Sequence, residues 1–358
     1  MNILMVYPEF PDTFWSFKHA LRFEMKRASS PPLGLATVAA LLPEDWGKRL
    51  IDMNVTQLKS SDLDWADLVF VSAMIVQRPS ATQVIEQARQ AGKKVVAGGP
   101  LFTAEYEEFP QVDYLVLNEG EITLPQFLAD LERGDPRHLY MTSDFPDIQQ
   151  SPAPMWELFD IKQYDSMSIQ FSRGCPYNCD FCNITVLLGH RPRTKTAAQI
   201  IRELDGVYNL GWRRNIFFVD DNFIGNKRIL KESILPAIIE WRKGKTGCQF
   251  ITEASINLAD DEELMNLMQA AGFISVFVGI ETPSEESLTE CHKVQNKNRD
   301  LVETVQILQR HGFQVMGGFI VGFDADTPSI FQRQIDFIQK SGIVTAMVGL
   351  LQAPKGTE

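Results

Sequence analysis

One stretch decides how the second half of the chain folds: Ser172-Arg173-Gly174-Cys175-Pro176-Tyr177-Asn178-Cys179-Asp180-Phe181-Cys182-Asn183. It holds three of the five cysteines of the chain, in the spacing Cys175-x3-Cys179-x2-Cys182. Disulfides are a poor explanation, because the cysteine count is odd and the start, Met1 to Tyr7, lacks the basic segment and the cleavage site of a signal peptide. The clustering therefore indicates a metal or redox site.

Thiolates are soft ligands that suit zinc, Cu(I) or iron–sulfur clusters. A structural zinc site closes with four ligands, whereas only three cysteines are local here. The other candidate ligands lie further along the chain, at His190, Cys248 and Cys291. A 4Fe–4S cubane that is held by three thiolates keeps one iron open. We therefore predict that the three clustered cysteines bind such a cluster; a structural zinc site or scattered thiols are the alternative.

Residues 165–358 alternate strand and helix patterns. Strands are predicted at 167–172, 215–220, 248–253, 275–280, 314–321 and 344–350, and helices at 196–209, 227–242, 260–271, 298–311 and 328–340. Six such units predict a partial (β/α)6 barrel, because a complete barrel has eight. Cys175 follows the first strand, at the carboxyl end where barrel enzymes place their chemistry.

Residues 1–135 show a similar rhythm and predict an α/β domain with a doubly wound, Rossmann-like parallel sheet. Strands are predicted at 2–7, 48–53, 68–74, 94–98 and 112–117, and helices at 32–42, 79–91 and 121–132. Residues 136–164 are rich in proline, show little periodicity and are interpreted as a linker.

Composition limits the function classes. The chain has 358 residues, of which 44% are hydrophobic and 22% charged, as expected for a globular protein of two domains. Its net charge of −12 argues against a nucleic-acid partner. No apolar run is long enough for a membrane helix, so we expect a cytoplasmic protein. The sequence stops soon after the sixth predicted barrel strand, and we expect that a C-terminal region is missing.

The cysteine motif and the order of strands and helices resemble those of a known family. Residues 165–355 resemble the core of the radical S-adenosylmethionine superfamily, and the first domain resembles the cobalamin-binding domain of its cobalamin-dependent branch. The whole chain is similar to the hopanoid-methylase-like subgroup through five further motifs: Pro31-Pro32-Leu33-Gly34-Leu35, Cys182-Asn183-Ile184-Thr185, Asp220-Asp221-Asn222-Phe223, Gly279-Ile280-Glu281-Thr282-Pro283 and Gly317-Gly318-Phe319-Ile320-Val321-Gly322-Phe323. The cofactors that this resemblance implies are a 4Fe–4S cluster, S-adenosylmethionine and cobalamin.

The resemblance also implies roles for residues at the barrel-strand ends. The methionine ammonium of S-adenosylmethionine would be received after the second strand, its ribose hydroxyls after the third and fourth, and its adenine along the fifth. The residues in these places are, in that order, Asp220, Asp221 and Asn222; Glu253 and Glu281; and Gly318. The alternatives are a solvated turn with an N-cap for the first group, a structural ion pair for Glu253 and tight barrel packing for the glycine. Ser255 and Asn257 are further polar neighbours.

In the first domain, cobalamin is expected at turns that follow the third, fourth and fifth strands, where parallel sheets bind ligands. The candidate residues are Ser72, Met74, Gly98, Gly99, Pro100, Glu119 and Gly120. The cobalt-binding motif Asp-x-His-x-x-Gly is absent, and the histidine nearest to the first-strand loop is His19. We therefore expect cobalamin to bind without a protein histidine. Phe14 and Trp15 are candidate aromatics that would face cofactor or substrate.

The implied activity is methylation of an unactivated carbon in a small-molecule or lipid substrate, with electrons from a donor such as flavodoxin or ferredoxin. One alternative is a cobalamin-dependent rearrangement or cyclisation. A tRNA-methylthiolating enzyme is disfavoured, because that class has three further N-terminal cysteines whereas residues 1–174 contain none. An alternative of another class is a non-catalytic, metal-binding regulatory protein.

Overall fold

The computed structural model describes residues 1–13 and 16–357, so Phe14 and Trp15 lie outside the described residues. The chain divides into two compact units. The first comprises Met1–Ser168 and Asp205–Trp212, and the second comprises Ile169–Leu204 and Arg213–Glu358.

The first unit is built on a six-stranded parallel sheet. Its strands are β1 (Asn2–Tyr7), β2 (Gly47–Asp52), β3 (Leu68–Ser72), β4 (Lys94–Gly98), β5 (Tyr114–Val116) and β6 (Leu139–Tyr140). Its helices are α1 (Lys18–Phe23), α2 (Leu33–Leu41), α3 (Ser60–Trp65), α4 (Arg78–Gln90), α5 (Pro100–Glu105) and α6 (Gly120–Glu132). The order β2-β1-β3-β4-β5-β6, with every pair of neighbours parallel, confirms the doubly wound sheet.

Both faces of this sheet are covered. Along β1, Leu4 and Val6 belong to a buried cluster with residues of α3, α4 and α5, whereas Ile3 and Met5 belong to a cluster with residues of α2 and α6. Alternate side chains of a strand point to opposite faces, so a strand that is covered on both sides is apolar throughout. The strand order reverses at β1, which places the expected ligand crevice between the loops that follow β1 and β3.

Strand β6 lies inside the segment that was interpreted as a linker. Its two residues pair with β5, and the Tyr140 hydroxyl donates a hydrogen bond of 2.8 Å to the Asp130 carboxylate on α6. A strand of two residues has no periodicity to detect, which is why the sequence patterns did not indicate it.

A second part of the same segment is tied to β2 by a buried hydrogen bond. The Tyr164 hydroxyl donates to Asp52 Oδ2 over 3.0 Å, while Asp52 Oδ1 accepts from the backbone and side chain of Asn54. Tyr164 and Asp52 are both buried, and burial raises the pKa of the Asp52 carboxyl. A buried carboxylate oxygen depends on its donor, because water cannot replace it.

We therefore expect Tyr164→Phe to lower the free energy of unfolding by about 1–3 kcal/mol, the usual cost of leaving a buried acceptor without a donor. Chemical denaturation followed by circular dichroism measures the change. Tyr106→Phe is the matched control, because Tyr106 is partly buried against the same unit's core and its hydroxyl has no hydrogen bond within the described chain. Equal stability of wild type and Tyr164→Phe would contradict this account.

The second unit holds another six-stranded sheet. Its strands, with a short separate hairpin of β8 and β9, are β7 (Met167–Ile169), β8 (Ser172–Arg173), β9 (Arg193–Thr194), β10 (Asn215–Phe218), β11 (Gln249–Glu253), β12 (Phe273–Glu281), β13 (Gln314–Val321) and β14 (Thr345–Leu350). The helices are α7 (Ile184–Leu188), α8 (Ala197–Asn209), α9 (Lys227–Ile229), α10 (Leu235–Arg242), α11 (Glu262–Ala271), α12 (Glu285–Glu290), α13 (Leu301–Arg310) and α14 (Ile330–Ser341), and a π-helical turn (Leu230–Ile234) joins α9 to α10. Throughout residues 1–13 and 16–357, no helix is long and apolar enough to cross a membrane.

The strand order of this sheet is β14-β13-β12-β11-β10-β7, and the neighbours from β10 to β14 pair in parallel. Such sequential parallel strands with intervening helices are the arrangement expected of a partial (β/α)6 barrel. Phenylalanines of three adjacent strands and of the loop after β10 pack together in its core, with ring centroids 4.9–5.4 Å apart: Phe218, Phe223, Phe250 and Phe273. This rigid apolar base fixes the strand ends that carry the candidate site.

Candidate functional site

The three clustered cysteines lie on the loop between β8 and α7. Gly174, with φ of +96°, opens this loop, and a Cβ atom there would lie 2.7 Å from the Gly189 carbonyl oxygen. The backbone N–H of Cys175 donates to the same oxygen over 3.2 Å, and that of Cys182 donates to the Cys179 carbonyl over 2.9 Å. The glycine is required, because only a residue without a side chain fits so close to the backbone in this conformation.

Burial raises the pKa of all three thiols, that of Cys182 to about 11. Two side-chain amides face the sulfurs: Asn222 Nδ2 lies 4.0 Å from Cys175 Sγ, and Gln295 Nε2 lies 3.8 Å from Cys179 Sγ. A metal binds the thiolate form and supplies positive charge that offsets the cost of ionising a thiol in such a site. Thiols with N–H donors aimed at their sulfurs are therefore a suitable donor set for an iron–sulfur cluster.

The described residues contain no group of three or more His, Cys, Asp or Glu side chains that could hold a metal ion. A 4Fe–4S cluster places different demands on its ligands, because each thiolate binds a different iron and the sulfurs stand further apart than around one shared ion. The three thiols are nevertheless close enough to interact, because Cys175 and Cys179 add to the effect of burial in raising the pKa of Cys182.

A polar network connects the cysteine loop to the ends of β10 and β11. Asn257 Nδ2 donates to the Tyr177 hydroxyl over 2.9 Å, and the Ser255 hydroxyl donates to Asn257 Oδ1 over 2.7 Å. The backbone N–H of Ser255 donates to Asn222 Oδ1 over 3.1 Å. Since the Asn222 amide also faces Cys175, these four polar side chains hold the first cysteine relative to the strand ends.

The Asp220 carboxylate makes hydrogen bonds within the protein. Its carboxylate accepts hydrogen bonds from the backbone N–H groups of Phe171 and Ser172 and from the Ser172 hydroxyl. The side chain is buried, and this burial raises the pKa of the carboxyl to about 7. Asp220 therefore ties the segment that leads into the cysteine loop to the strand beside it.

Asp221 and Glu253 form an acidic pair without a cation. Burial raises the pKa of Asp221 to about 6 and that of Glu253 to about 7, and the charges of Asp221 and Asp220 add to the effect on Glu253. In the described part of the chain, neither carboxylate has an ion-pair partner or accepts a hydrogen bond from another residue. Close acidic groups that lack a cation are suited to a positively charged ligand.

Glu281 is paired with a residue that the sequence patterns did not indicate. Lys293 Nζ donates to Glu281 Oε1 over 2.6 Å, and both side chains are nearly buried. Glu281 has a φ of +63° at an irregularity in the pairing of β12 with β13. A Cβ atom on Gly279 would collide with the Glu281 carboxylate and the Lys293 ammonium, so this glycine makes room for the ion pair.

The glycines of β13 are packed against neighbouring side chains. A Cβ atom on Gly318 would lie 2.8 Å from the Phe277 ring, and one on Gly317 would lie 2.8 Å from the Phe319 ring. These contacts are those expected of tight barrel packing, and the adenine-binding role of Gly318 stays a prediction.

The glycines after β4 are similarly constrained in the first unit. A Cβ atom on Gly98 would lie 2.5 Å from the Val116 carbonyl oxygen, and one on Gly99, whose φ is +87°, would lie 2.5 Å from Ser72 Oγ. Pro100 is the first residue of α5, a favoured position for proline. Ser72, Gly98 and Gly99 are thus brought together at the carboxyl edge of β3 and β4.

The turn after β3 presents exposed apolar side chains. Met74 and Val76 are 46% and 56% exposed, and Gln77 beneath them is buried. Gln77 Oε1 accepts from the Met74 backbone N–H over 2.7 Å, and its Nε2 donates to the Pro8 carbonyl over 2.5 Å, which joins the loops after β1 and β3. Glu119 and Gly120 begin α6 at the same edge of the sheet. The exposed side chains of Met74 and Val76 thus lie at the edge of the sheet where the sequence predicts a ligand site.

Two family models match the chain. Residues 169–338 match the Radical SAM superfamily, and residues 27–128 match the B12 binding domain. The two matched segments include all three clustered cysteines and all seven candidate residues of the first sheet, respectively.

Two curated relatives cover almost the whole chain. An uncharacterized methyltransferase of Synechocystis sp., sll1242, is 45% identical over 100% of this chain and 67% of its own length. The hopanoid C-2 methylase of Rhodopseudomonas palustris is 38% identical over 98% of this chain and 68% of its own length. The chain thus spans about two thirds of the length of these relatives.

A solved structure of similar fold is the radical S-adenosylmethionine methyltransferase TsrM from Kitasatospora setae, with cobalamin and a [4Fe-4S] cluster bound. It matches 98% of this chain and 74% of its own length, with a TM-score of 0.77 at 16% identity. Fold, family models and relatives agree. The chain belongs to the cobalamin-dependent branch of the radical S-adenosylmethionine superfamily, an enzyme family that uses a 4Fe–4S cluster, S-adenosylmethionine and cobalamin.

Proposed function

We propose that the chain methylates an unactivated carbon of a lipid-like small molecule. The observation that carries the proposal is the combination of three clustered thiols with an acidic pair, Asp221 and Glu253, that has no cation of its own. S-adenosylmethionine brings the required positive charges in its sulfonium and ammonium groups. The 38% identity to a hopanoid C-2 methylase favours methylation as the outcome.

Cys175, Cys179 and Cys182 would hold the cluster through their thiolates. When bound, the cluster supplies an electron to S-adenosylmethionine, and cobalamin supplies the methyl group. Asp221 and Glu253 would attract the cationic cofactor to the open iron, while Asn222 would fix the position of Cys175. Glu281 Oε2, which has no hydrogen bond within the described chain, is free to accept one from a ribose hydroxyl.

Asp220 and Gly318 receive different roles in this proposal. The Asp220 carboxylate already accepts three hydrogen bonds, so we assign it to positioning the segment before the cysteine loop rather than to binding the methionine ammonium. Gly318 would keep β13 close-packed, and any contact with adenine would involve its backbone alone.

Cobalamin would bind at the carboxyl edge of β3, β4 and β5. The exposed side chains of Met74 and Val76 would cover apolar parts of the corrin ring, and the turn at Ser72, Gly98 and Gly99 would allow close approach of backbone. Pro100, Glu119 and Gly120 border the same edge. We expect cobalt to receive no protein imidazole, because the sequence lacks the cobalt-binding motif Asp-x-His-x-x-Gly.

The substrate we propose is a hopanoid-like lipid, and the electron donor a small protein such as flavodoxin or ferredoxin. The test is anaerobic reconstitution with iron, sulfide and hydroxocobalamin, followed by incubation with methyl-deuterated S-adenosylmethionine, a reductant and a hopanoid without a C-2 methyl group. We expect about four irons, retained cobalamin and a product that carries the labelled methyl group.

Each other outcome has a distinct meaning. Formation of 5′-deoxyadenosine with an isomerised, unlabelled product would favour the rearrangement or cyclisation alternative. Four irons without retained cobalamin would contradict the methyl-transfer mechanism. Zinc in place of iron, with no visible iron–sulfur absorbance, would support a regulatory metal protein.

A further inference from the structure

A short segment after α12, Cys291–Asn296, contacts the cysteine loop at three points; we call it the clamp segment. The Cys291 carbonyl accepts a hydrogen bond of 3.2 Å from the Asp180 backbone N–H. The His292 ring nitrogen Nδ1 lies 2.6 Å from the Asp180 carboxylate. Gln295 Nε2 donates to Cys179 Sγ over 3.8 Å. The clamp segment thus fixes the middle of the cysteine loop.

The clamp segment also holds the end of β12. Asn296 Nδ2 donates to the carbonyl oxygens of Gly279 and Ile280 over 3.0 and 2.9 Å, and Lys293 pairs with Glu281 on the same strand. Both charged side chains are about nine-tenths buried. Because the strand end and the clamp hold the two partners, the charges have fixed positions beside the cysteine loop.

The positive end of this pair lies beside the cysteine loop. Lys293 belongs to the clamp segment, and Gln295, two residues further along that segment, contacts Cys179 Sγ. The Lys293 ammonium also lies 5.7 Å from the ring centre of Phe181, which stands between these cysteines in sequence. An ammonium in a buried site is weakly screened, so its field reaches nearby groups.

We propose that the Lys293–Glu281 ion pair sets the reduction potential of the cluster, with Lys293 raising it and Glu281 moderating it. This inference rests on the proposed cluster ligands. Reduction adds one electron, taken from a low-potential protein donor or from dithionite, which is oxidised in turn. The added negative charge is stabilised by a nearby cation and destabilised by a nearby carboxylate, so the two residues act with opposite sign.

The test is a redox titration of the reconstituted variants, monitored by electron paramagnetic resonance without substrate or cobalamin. We expect Lys293→Met to shift the midpoint potential to more negative values, because it removes the cation and leaves the Glu281 carboxylate unpaired. We expect Glu281→Gln to shift it to more positive values, and the double variant to lie between the two. Lys293→Arg should restore a potential close to that of wild type.

Lys231→Met is the matched control, since it also breaks a lysine ion pair in the same unit, with Asp261 and Glu263, but within the described chain Lys231 makes no hydrogen bond or ion pair with the cysteine loop or the clamp segment. Its potential should equal that of wild type. Shifts of the same sign in Lys293→Met and Glu281→Gln, or loss of iron from both, would overturn the proposal in favour of a structural role. Failure of wild type to bind iron would instead contradict the proposed ligands, and failure of methyl transfer alone would leave this inference intact.

Discussion

Replacing Cys182 by alanine should remove the cluster and abolish formation of 5′-deoxyadenosine. Two remaining thiols cannot hold a cubane and keep the open iron fixed, because a cubane with one open iron needs three thiolate ligands. We expect iron content to fall from about four per chain to near zero. The measurements are iron and sulfide analysis after anaerobic reconstitution, and chromatography of the nucleoside products.

Cys248→Ala is the control for this experiment. Cys248 is buried in the second unit, and burial raises the pKa of its thiol while Arg213 and Arg242 lower it; none of the clustered cysteines is among the groups that act on it. It should retain full iron content and normal cleavage. A Cys182→Ala enzyme that still produced 5′-deoxyadenosine would show that the ligand assignment is wrong.

Replacing Glu253 by glutamine should stabilise the ligand-free protein and weaken binding of S-adenosylmethionine. Burial and two nearby carboxylates raise the pKa of Glu253 to about 7, so its charged form is unfavourable in the folded chain. A neutral amide removes this penalty, which we place at about 1–3 kcal/mol at slightly alkaline pH. The same change removes a negative charge that would attract the cationic cofactor, and we expect affinity to fall at least about tenfold.

The pH dependence of stability provides a separate check. A carboxyl whose folded pKa is raised binds its proton more tightly in the folded state, so its penalty is absent below the ordinary pKa, grows as pH rises from the ordinary to the folded pKa, and is fully present above the folded pKa. The advantage of Glu253→Gln in melting temperature should therefore be small near about pH 5 and large near about pH 8. Glu240→Gln, at an exposed surface pair with Lys243, should show neither effect. An equal advantage at both pH values would contradict the assigned cause.

Much of the fold could be predicted because its signals are local. Apolar runs such as those of β1 and β3 are continuous where a parallel strand is buried on both faces, and Cys175, Cys179 and Cys182 lie within one loop. The two-residue β6 could not be predicted, because its pairing with β5 depends on the fold around it rather than on a repeat in its own sequence.

The candidate site could be predicted only in part, for the same reason. Glu281 was identified as a polar strand end, but its partner Lys293 lies twelve residues away, beyond a helix, where no spacing rule connects them. Gln295 and Asn296 were missed because each is defined by a tertiary contact, with Cys179 Sγ and with two carbonyl oxygens of β12. Residue type alone could not distinguish Asp220 from Asp221. The difference is that the fold surrounds the Asp220 carboxylate with hydrogen-bond donors of the chain.

The space around the buried ion pair has an evolutionary consequence. Gly279 has no side chain because the Glu281 carboxylate and the Lys293 ammonium occupy that space, and breaking a buried pair by removing one partner typically costs about 3–5 kcal/mol. Changes at any one of the three positions are therefore selected against unless the others change with it. Among related sequences, positions 279, 281 and 293 should covary as a unit, so that a chain that loses the lysine also replaces the glutamate and is released from the need for glycine.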